Sequence, residues 1–248
     1  MTTSPSIPPL TNGSTGDGIT SDRAEWKFTK DVAANFDTHV QKSVPYYAET
    51  HQLAIAMSDW FVHDHAKVYD LGCATGHLLV DLRKRHVGKG LQCTGLDSSQ
   101  PMIDQAQIYL RGYNGITLKC ADVLKEPFDE DIALFYSLYT LQFVNPQERL
   151  GLCRKIHASL AQRGAFILVE KILDADPVLT DVYIHLHWSK KAEMGFDVSE
   201  IYNKAQALRG VLVPFTSEEN IRMLQEAGFS RVSTFFKWCN FCGVIAVK

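Results

Sequence analysis

The sequence predicts an α/β fold, a mostly parallel sheet with helices on both faces. Three observations predict it. Strand-like and helix-like runs alternate between residues 68 and 171. The first strand ends in a glycine-rich turn, Asp70-Leu71-Gly72-Cys73-Ala74-Thr75-Gly76, that opens directly into a helical pattern. Three acids, Asp70, Asp97 and Asp122, close three successive strands. Parallel strands need a long crossover, usually a helix, so this rhythm dictates parallel pairing with helices on either side. The 248 residues suffice for one large domain with a full core. A hydrophobic share of 46% beside 21% charged residues is that of a globular chain rather than a disordered one. A net charge of −3 lends no support to direct nucleic-acid binding.

The elements follow in order. Residues 1–22 are rich in Ser, Thr, Pro and Gly and lack an apolar core. They read as a disordered N-terminal arm and not as a secretory signal. Residues 23–248 read as a single domain. It opens with a helical cap, residues 23–66, in which amphipathic helices over 26–36 and 46–61 are parted by Pro45. Strands are expected at 68–71, 91–97, 116–121, 132–137 and 165–171, with helices at 78–85, 102–111 and 146–160. The rhythm breaks at Asp174. A helical insertion, about residues 174–215, carries His, Trp, Tyr and Lys in place of a simple apolar stripe. Thr216 or Ser217 then caps a helix that Gly228 stops. Residues 232–238 and 241–247 form either one irregular strand or an antiparallel pair. No apolar run approaches the roughly 20 residues that span a bilayer. The six scattered cysteines fit a reducing, cytoplasmic setting. If residues 235–247 are one strand, Cys239 and Cys242 point to opposite faces, as small core residues. No further pair completes a metal site.

The chemistry sits at the carboxyl edge of the sheet, where open α/β sheets bind ligands. Gly72 and Gly76 permit positive φ and close approach of a ligand to the backbone. The turn lacks the Gly-x-Gly-x-x-Gly spacing of a dinucleotide site, and Asp70 would repel a pyrophosphate. A phosphate-free cation fits better. S-adenosylmethionine (SAM) offers adenosine, a sulfonium and an amino-acid tail. Asp70 would face the tail's ammonium, Asp97 the ribose diol, and Asp122-Val123 the adenine.

These motifs resemble those of the class I SAM-dependent methyltransferases. Asp70 to Gly76 is similar to their first motif, Leu96-Asp97-Ser98-Ser99 with Pro101-Met102 to their second, and Ala121-Asp122-Val123 to their adenine motif. The resemblance implies a Rossmann-like, mostly parallel seven-stranded sheet with an antiparallel C-terminal strand. It implies cofactor contacts from Asp70, Gly72, Cys73, Ala74, Gly76, Asp97, Ser98, Met102, Asp122, Val123 and Ser137. A closer resemblance, to carboxy-SAM synthases of tRNA wobble-uridine modification, covers nearly the whole ordered chain. Its pieces include Trp26-Lys27-Phe28, Ser43-Val44-Pro45-Tyr46-Tyr47, Thr140-Leu141-Gln142-Phe143, Glu170-Lys171, His187 and Asn240-Phe241. It implies that Tyr47 contacts the cofactor and that the chain forms a homodimer through the insertion. Two positions depart from that family: Leu138 stands for its asparagine and Ala205 for its carboxylate-binding arginine.

Losing that arginine favours plain SAM and methyl transfer to a small-molecule acceptor, with S-adenosylhomocysteine (SAH) as product. The alternative is synthesis of carboxy-SAM with prephenate as carboxyl donor. A third reading is a non-catalytic cofactor-binding protein. Candidate bases are His187 and His185, of which a helix points only one at the cofactor. Tyr139 is a base or an aromatic wall. Glu170 is a further acid at the same edge, or a partner of Lys171. The aromatic residues Tyr183, Trp188, Phe196 and Tyr202 cover the pocket or pack against a second subunit.

Overall fold

The computed structural model describes residues 13–248. A two-strand hairpin, β1 (Gly13–Ser14) and β2 (Thr20–Ser21), precedes helices α1 (Lys30–Ser43) and α2 (Tyr47–Met57). Alternation then runs β3 (Lys67–Leu71), α3 (His77–Arg85), β4 (Gln92–Asp97), α4 (Gln100–Tyr109), β5 (Ile116–Cys120), β6 (Ile132–Leu138), α5 (Pro146–Ser159) and β7 (Leu160–Lys171). Helices α6 (Pro177–Glu193), α7 (Val198–Ala207) and α8 (Ser217–Glu226) lead to β8 (Arg231–Trp238) and β9 (Phe241–Val247). The sheet order is β5-β4-β3-β6-β7-β9-β8, with β9 antiparallel to both its neighbours and the other pairs parallel. This is the expected seven-stranded Rossmann-like architecture. The chain steps outward from β3 to β5 and then returns to the other side of β3. The order therefore reverses between β3 and β6, and a crevice opens beyond their carboxyl ends.

Strand alternation builds two cores. Tyr69, Leu71, Phe135, Phe166 and Leu168 face α5 and α8, against Leu152, Ile156 and Leu224. Val68, Leu134, Tyr136 and Ile167 face the other way, against Ala54, Leu79, Leu82 and Ile103. Both sheet faces are covered, which is why the central strands read as continuous apolar runs.

The structure departs from the sequence reading at residues 13–22, at the start of α1 and at Cys239, and it resolves the helical insertion and the C-terminal strands. Residues 13–22, expected to be disordered, fold as a hairpin whose Ile19 is 1% exposed and packs with Trp26, Val32, Met102 and Ala207. Asp17 at its tip meets His39 at 3.0 Å and Lys42 at 2.6 Å. One well-placed isoleucine and one paired acid outweigh a polar average composition. The rest of the expected arm, residues 1–12, lies outside the described residues. Helix α1 starts at Lys30, because Thr29 caps it and leaves Trp26 and Phe28 in an extended segment. The insertion is two helices, broken at Gly195 with φ 94°. Residues 231–247 are an antiparallel hairpin, so Cys239 sits in its turn with φ 43° and only Cys242 is a core residue. No helix among the described residues is long and apolar enough to cross a membrane.

Candidate active site

The crevice between β3 and β6 deepens into a cavity of ≈ 530 Å³, a size that suits a ligand as large as a nucleoside. One part of its wall is the acid cradle. Gly72 has φ 78°, and a Cβ there would lie 2.1 Å from Thr140 Oγ1. Only glycine lets the turn pass so close to the loop after β6. The Gly72 and Cys73 amides donate to the Leu96 carbonyl at 2.7 and 2.9 Å, which locks the turn onto β4. Asp97 accepts from Ala74 N at 3.0 Å on one oxygen and from Ser99 N at 2.8 Å on the other. Each oxygen keeps a second lone pair. Two parallel acceptors fixed by backbone suit a vicinal diol. Asp70 is 3% exposed, and burial first, then the charge of Asp97, pushes its carboxyl up to about 8. A cationic ligand would reverse that effect. Asp122 accepts from Leu124 N at 3.0 Å and lines the cavity with Val123, Ser98 and Met102.

A second part of the wall comes from distant segments. Tyr47 stacks on Tyr139, with ring centroids 5.7 Å apart and planes inclined by 29°. Tyr139 meets Phe241 edge-on at 6.1 Å, and Phe241 meets His187 edge-on at 5.0 Å. Tyr139 has φ 60°, a costly backbone for a bulky residue. Its amide donates to Val169 O at 2.6 Å, and its carbonyl accepts from Gln142 Nε2 at 2.9 Å. Glu170 then accepts from Leu141 N at 3.0 Å and from Gln142 N at 2.6 Å. Burial raises the Glu170 carboxyl to about 8 against these hydrogen bonds. The His187 ring donates from Nε2 to Ser43 O at 3.0 Å, while Nδ1 is buried without a hydrogen-bond partner. Burial, then Lys191 and Lys171, hold its pKa well below the ordinary histidine range, so the ring is neutral.

A third part is cationic. Lys171, Lys191 and Lys204 line the same cavity. Burial, then Arg209, lowers Lys171 to about 8; burial, then Lys171, lowers Lys191 to about 7; burial, then Lys191, lowers Lys204. Lys191 Nζ lies 5.9 Å from the ring centroid of Phe196, and Lys204 Nζ 2.7 Å from that of Trp26. A cation–π contact returns about 0.5–2 kcal/mol, whereas burying an ammonium costs several kcal/mol. The rings alone do not offset the burial.

A family model described as a methyltransferase domain matches residues 68–164. A carboxy-S-adenosyl-L-methionine synthase of Methylococcus capsulatus is 37% identical over 227 residues, which cover 90% of this chain and 94% of that protein. One from Helicobacter pylori is 37% identical over 229 residues, covering 89% and 93%. The chain belongs to the carboxy-S-adenosyl-L-methionine synthase family. It is an enzyme that uses SAM. Solved structures agree on the fold. Human N-acetylserotonin methyltransferase in complex with SAM superposes with TM-score 0.62 at 17% identity, over 89% of this chain and 56% of that one. A putative SAM-dependent methyltransferase of Methanococcus maripaludis gives 0.61 at 21% identity, over 90% and 95%.

Within this family fold the expected site residues divide. Tyr47, Asp70, Gly72, Cys73, Ala74, Asp97, Ser98, Met102, Asp122, Val123, Tyr139 and His187 line one cavity. Three expected residues do not. A Cβ on Gly76 would lie 2.5 Å from Leu110 Cδ1, so this glycine serves the approach of α3 to the end of α4 rather than to a ligand. Ser137 is 2% exposed inside β6, and its neighbour Leu138 takes the lining position. His185 is exposed, with Nδ1 against Asp181 O at 2.9 Å, on a different face of α6 from His187. Glu170 pairs with backbone amides and not with Lys171. Sequence reasoning missed the lysines as site residues. The i, i+4 spacing of His187 and Lys191 placed them on one helix face, and that signal was available. Among the described residues no group of three or more His, Cys, Asp or Glu is placed to hold a metal ion.

Proposed function

We propose that this enzyme carboxylates SAM, replacing a proton of the sulfonium methyl group by a carboxyl group drawn from a small donor, prephenate by family resemblance. One observation carries this reading. The pieces that set the family apart from generic methyltransferases meet on one wall of the cofactor cavity. Ser43 and Tyr47, Gln142 and Phe143, Glu170 and Lys171, His187 and Phe241 come from five separate segments, and all of them but Glu170 line the cavity itself. Asp97 would hold the ribose, Asp70 the ammonium of the amino-acid tail, and Asp122 the adenine. Bound SAM supplies a sulfonium that acidifies and activates its methyl group. Tyr47 and Tyr139 offer π faces beside a cation. A neutral His187 Nδ1 is a proton acceptor in the same wall.

A second reading is methyl transfer to a small-molecule acceptor. Leu138 and Ala205 favour it, since both line the cavity where the family carries a polar and a cationic residue. Mass spectrometry after incubation with SAM and prephenate separates the two. The first reading requires SAM heavier by one carboxyl group. SAH formed only with an added acceptor would establish the second. We also infer a homodimer built on α6. Val178, Val182 and Leu186 repeat every four residues along that helix and are 70%, 45% and 47% exposed.

A further inference from the structure

Three lysines in one cavity without an acid beside them are an unusual use of charge. Lys191 and Lys204 are each 8% exposed, on α6 and α7, and Lys171 closes β7. All three line the cavity that also holds Asp70 and Asp97. Among the described residues none of the three ammonium groups forms an ion pair or a hydrogen bond; Lys191 and Lys204 meet the rings of Phe196 and Trp26. Lys171 and Lys191 line the cavity together with His187, and the charge of each disfavours its positive form. Asp97 is tied to two backbone amides, Asp122 to Leu124 N and Lys125, and Asp70 forms no ion pair with any of the three lysines. The cavity therefore carries acids on β3, β4 and the segment after β5, and uncompensated cations at the end of β7 and on the two insertion helices. A buried cation cluster held open in this way waits for an anion.

We propose that Lys171, Lys191 and Lys204 form an anion subsite that receives a ligand carboxylate, in place of the arginine whose position is taken by Ala205. This inference rests on the function proposed above. The carboxylate belongs either to the donor substrate or to the carboxylated cofactor, and both present the same chemistry to an ammonium. Depressed lysine pKa values agree with it. An incoming carboxylate returns these groups to the charged form, so anion binding takes up protons near neutral pH.

The test uses the full chain and the variants Lys171→Met and Lys191→Met, which keep the apolar stem and remove the charge, with Lys191→Arg as the charge-keeping control. Calorimetry measures malonate binding to the SAH-saturated protein, and separately the affinity ratio of carboxy-SAM to SAM. The Met variants are expected to weaken one of these by roughly tenfold or more, with Lys191→Arg near wild type. Loss confined to malonate assigns the donor's carboxylate; loss confined to the cofactor ratio assigns the cofactor's. Met variants that bind SAH as wild type does, and lose neither, would overturn the subsite. If a Met variant fails to fold, the wild type decides: malonate must raise the melting temperature of the SAH-bound enzyme and take up protons on binding, and failure of both overturns the proposal. A wild type that makes no carboxylated cofactor, but loses anion binding on Lys191→Met, overturns the function and leaves the subsite standing.

Discussion

At the scale of single residues the site depends on where each carboxylate finds its partners. Asp97 has both oxygens fixed by backbone amides before any ligand arrives, so its orientation costs nothing on binding. Removing it as Asp97→Ala deletes two charge-assisted acceptors. Calorimetry should then show SAM affinity falling by roughly 10²- to 10³-fold; near-wild-type affinity would place the ribose elsewhere. Asp70 behaves differently. Its folded-state pKa, about 8, lies above the ordinary aspartate value of 3.8. The folded apo enzyme thus holds a proton that the unfolded chain has released, and Asp70 costs stability progressively as pH rises from about 4 to about 8. An Asp70→Asn variant lacks this penalty. Its melting temperature should gain on that of the wild-type apo enzyme between pH 5 and pH 8, and SAM should narrow the gap by pairing with the wild-type carboxylate. A difference independent of pH would mean that Asp70 is already ionised in the apo state.

At the scale of elements, the wall after β6 is a strained turn held from outside. Tyr139 sits at positive φ, and the next three residues turn back under the clamp of Glu170. Arg149 adds bonds from its guanidinium to Val144 O, Gln142 O and Val213 O at 2.9, 3.1 and 2.7 Å. Gln142 ties the turn to β7 through Lys171 N at 2.9 Å. Glutamine at 170 has one acceptor oxygen where glutamate has two, so one of the two amides loses its partner. Glu170→Gln is expected to cost about 1–3 kcal/mol in urea unfolding. It should also lower kcat more than SAM affinity, because the cradle on β3 and β4 is untouched. Loss of SAM affinity without loss of stability would assign Glu170 to the ligand.

At the scale of the whole molecule, α6 joins the cavity to the surface. Its inner face carries His187 and Lys191, and its outer stripe carries Val178, Val182 and Leu186. If that stripe is a subunit interface, Val182→Glu should shift the particle mass in light scattering from dimer to monomer, and a monomeric wild type would remove the interface from the account. The βα rhythm, the cofactor and the acid cradle were all legible in the chain, because each lies within one strand and the turn that follows it. Local spacing carries that information. The insertion's helices were legible as well, but not what they enclose. Nothing in the neighbourhood of Ile19 announces a folded hairpin, since its partners are Trp26, Met102 and Ala207. Nothing beside Lys171, Lys191 or Lys204 marks a buried charge, since a lysine in isolation reads as surface. Gly76 reads as a ligand contact in the chain, whereas in the fold Leu110 fills the space beside it. The sequence by itself determined the fold class and the three acids that gather at one edge of the sheet. Only the tertiary structure decided the other wall, because it brings five distant segments to one cavity and leaves three cations there with no acid to meet.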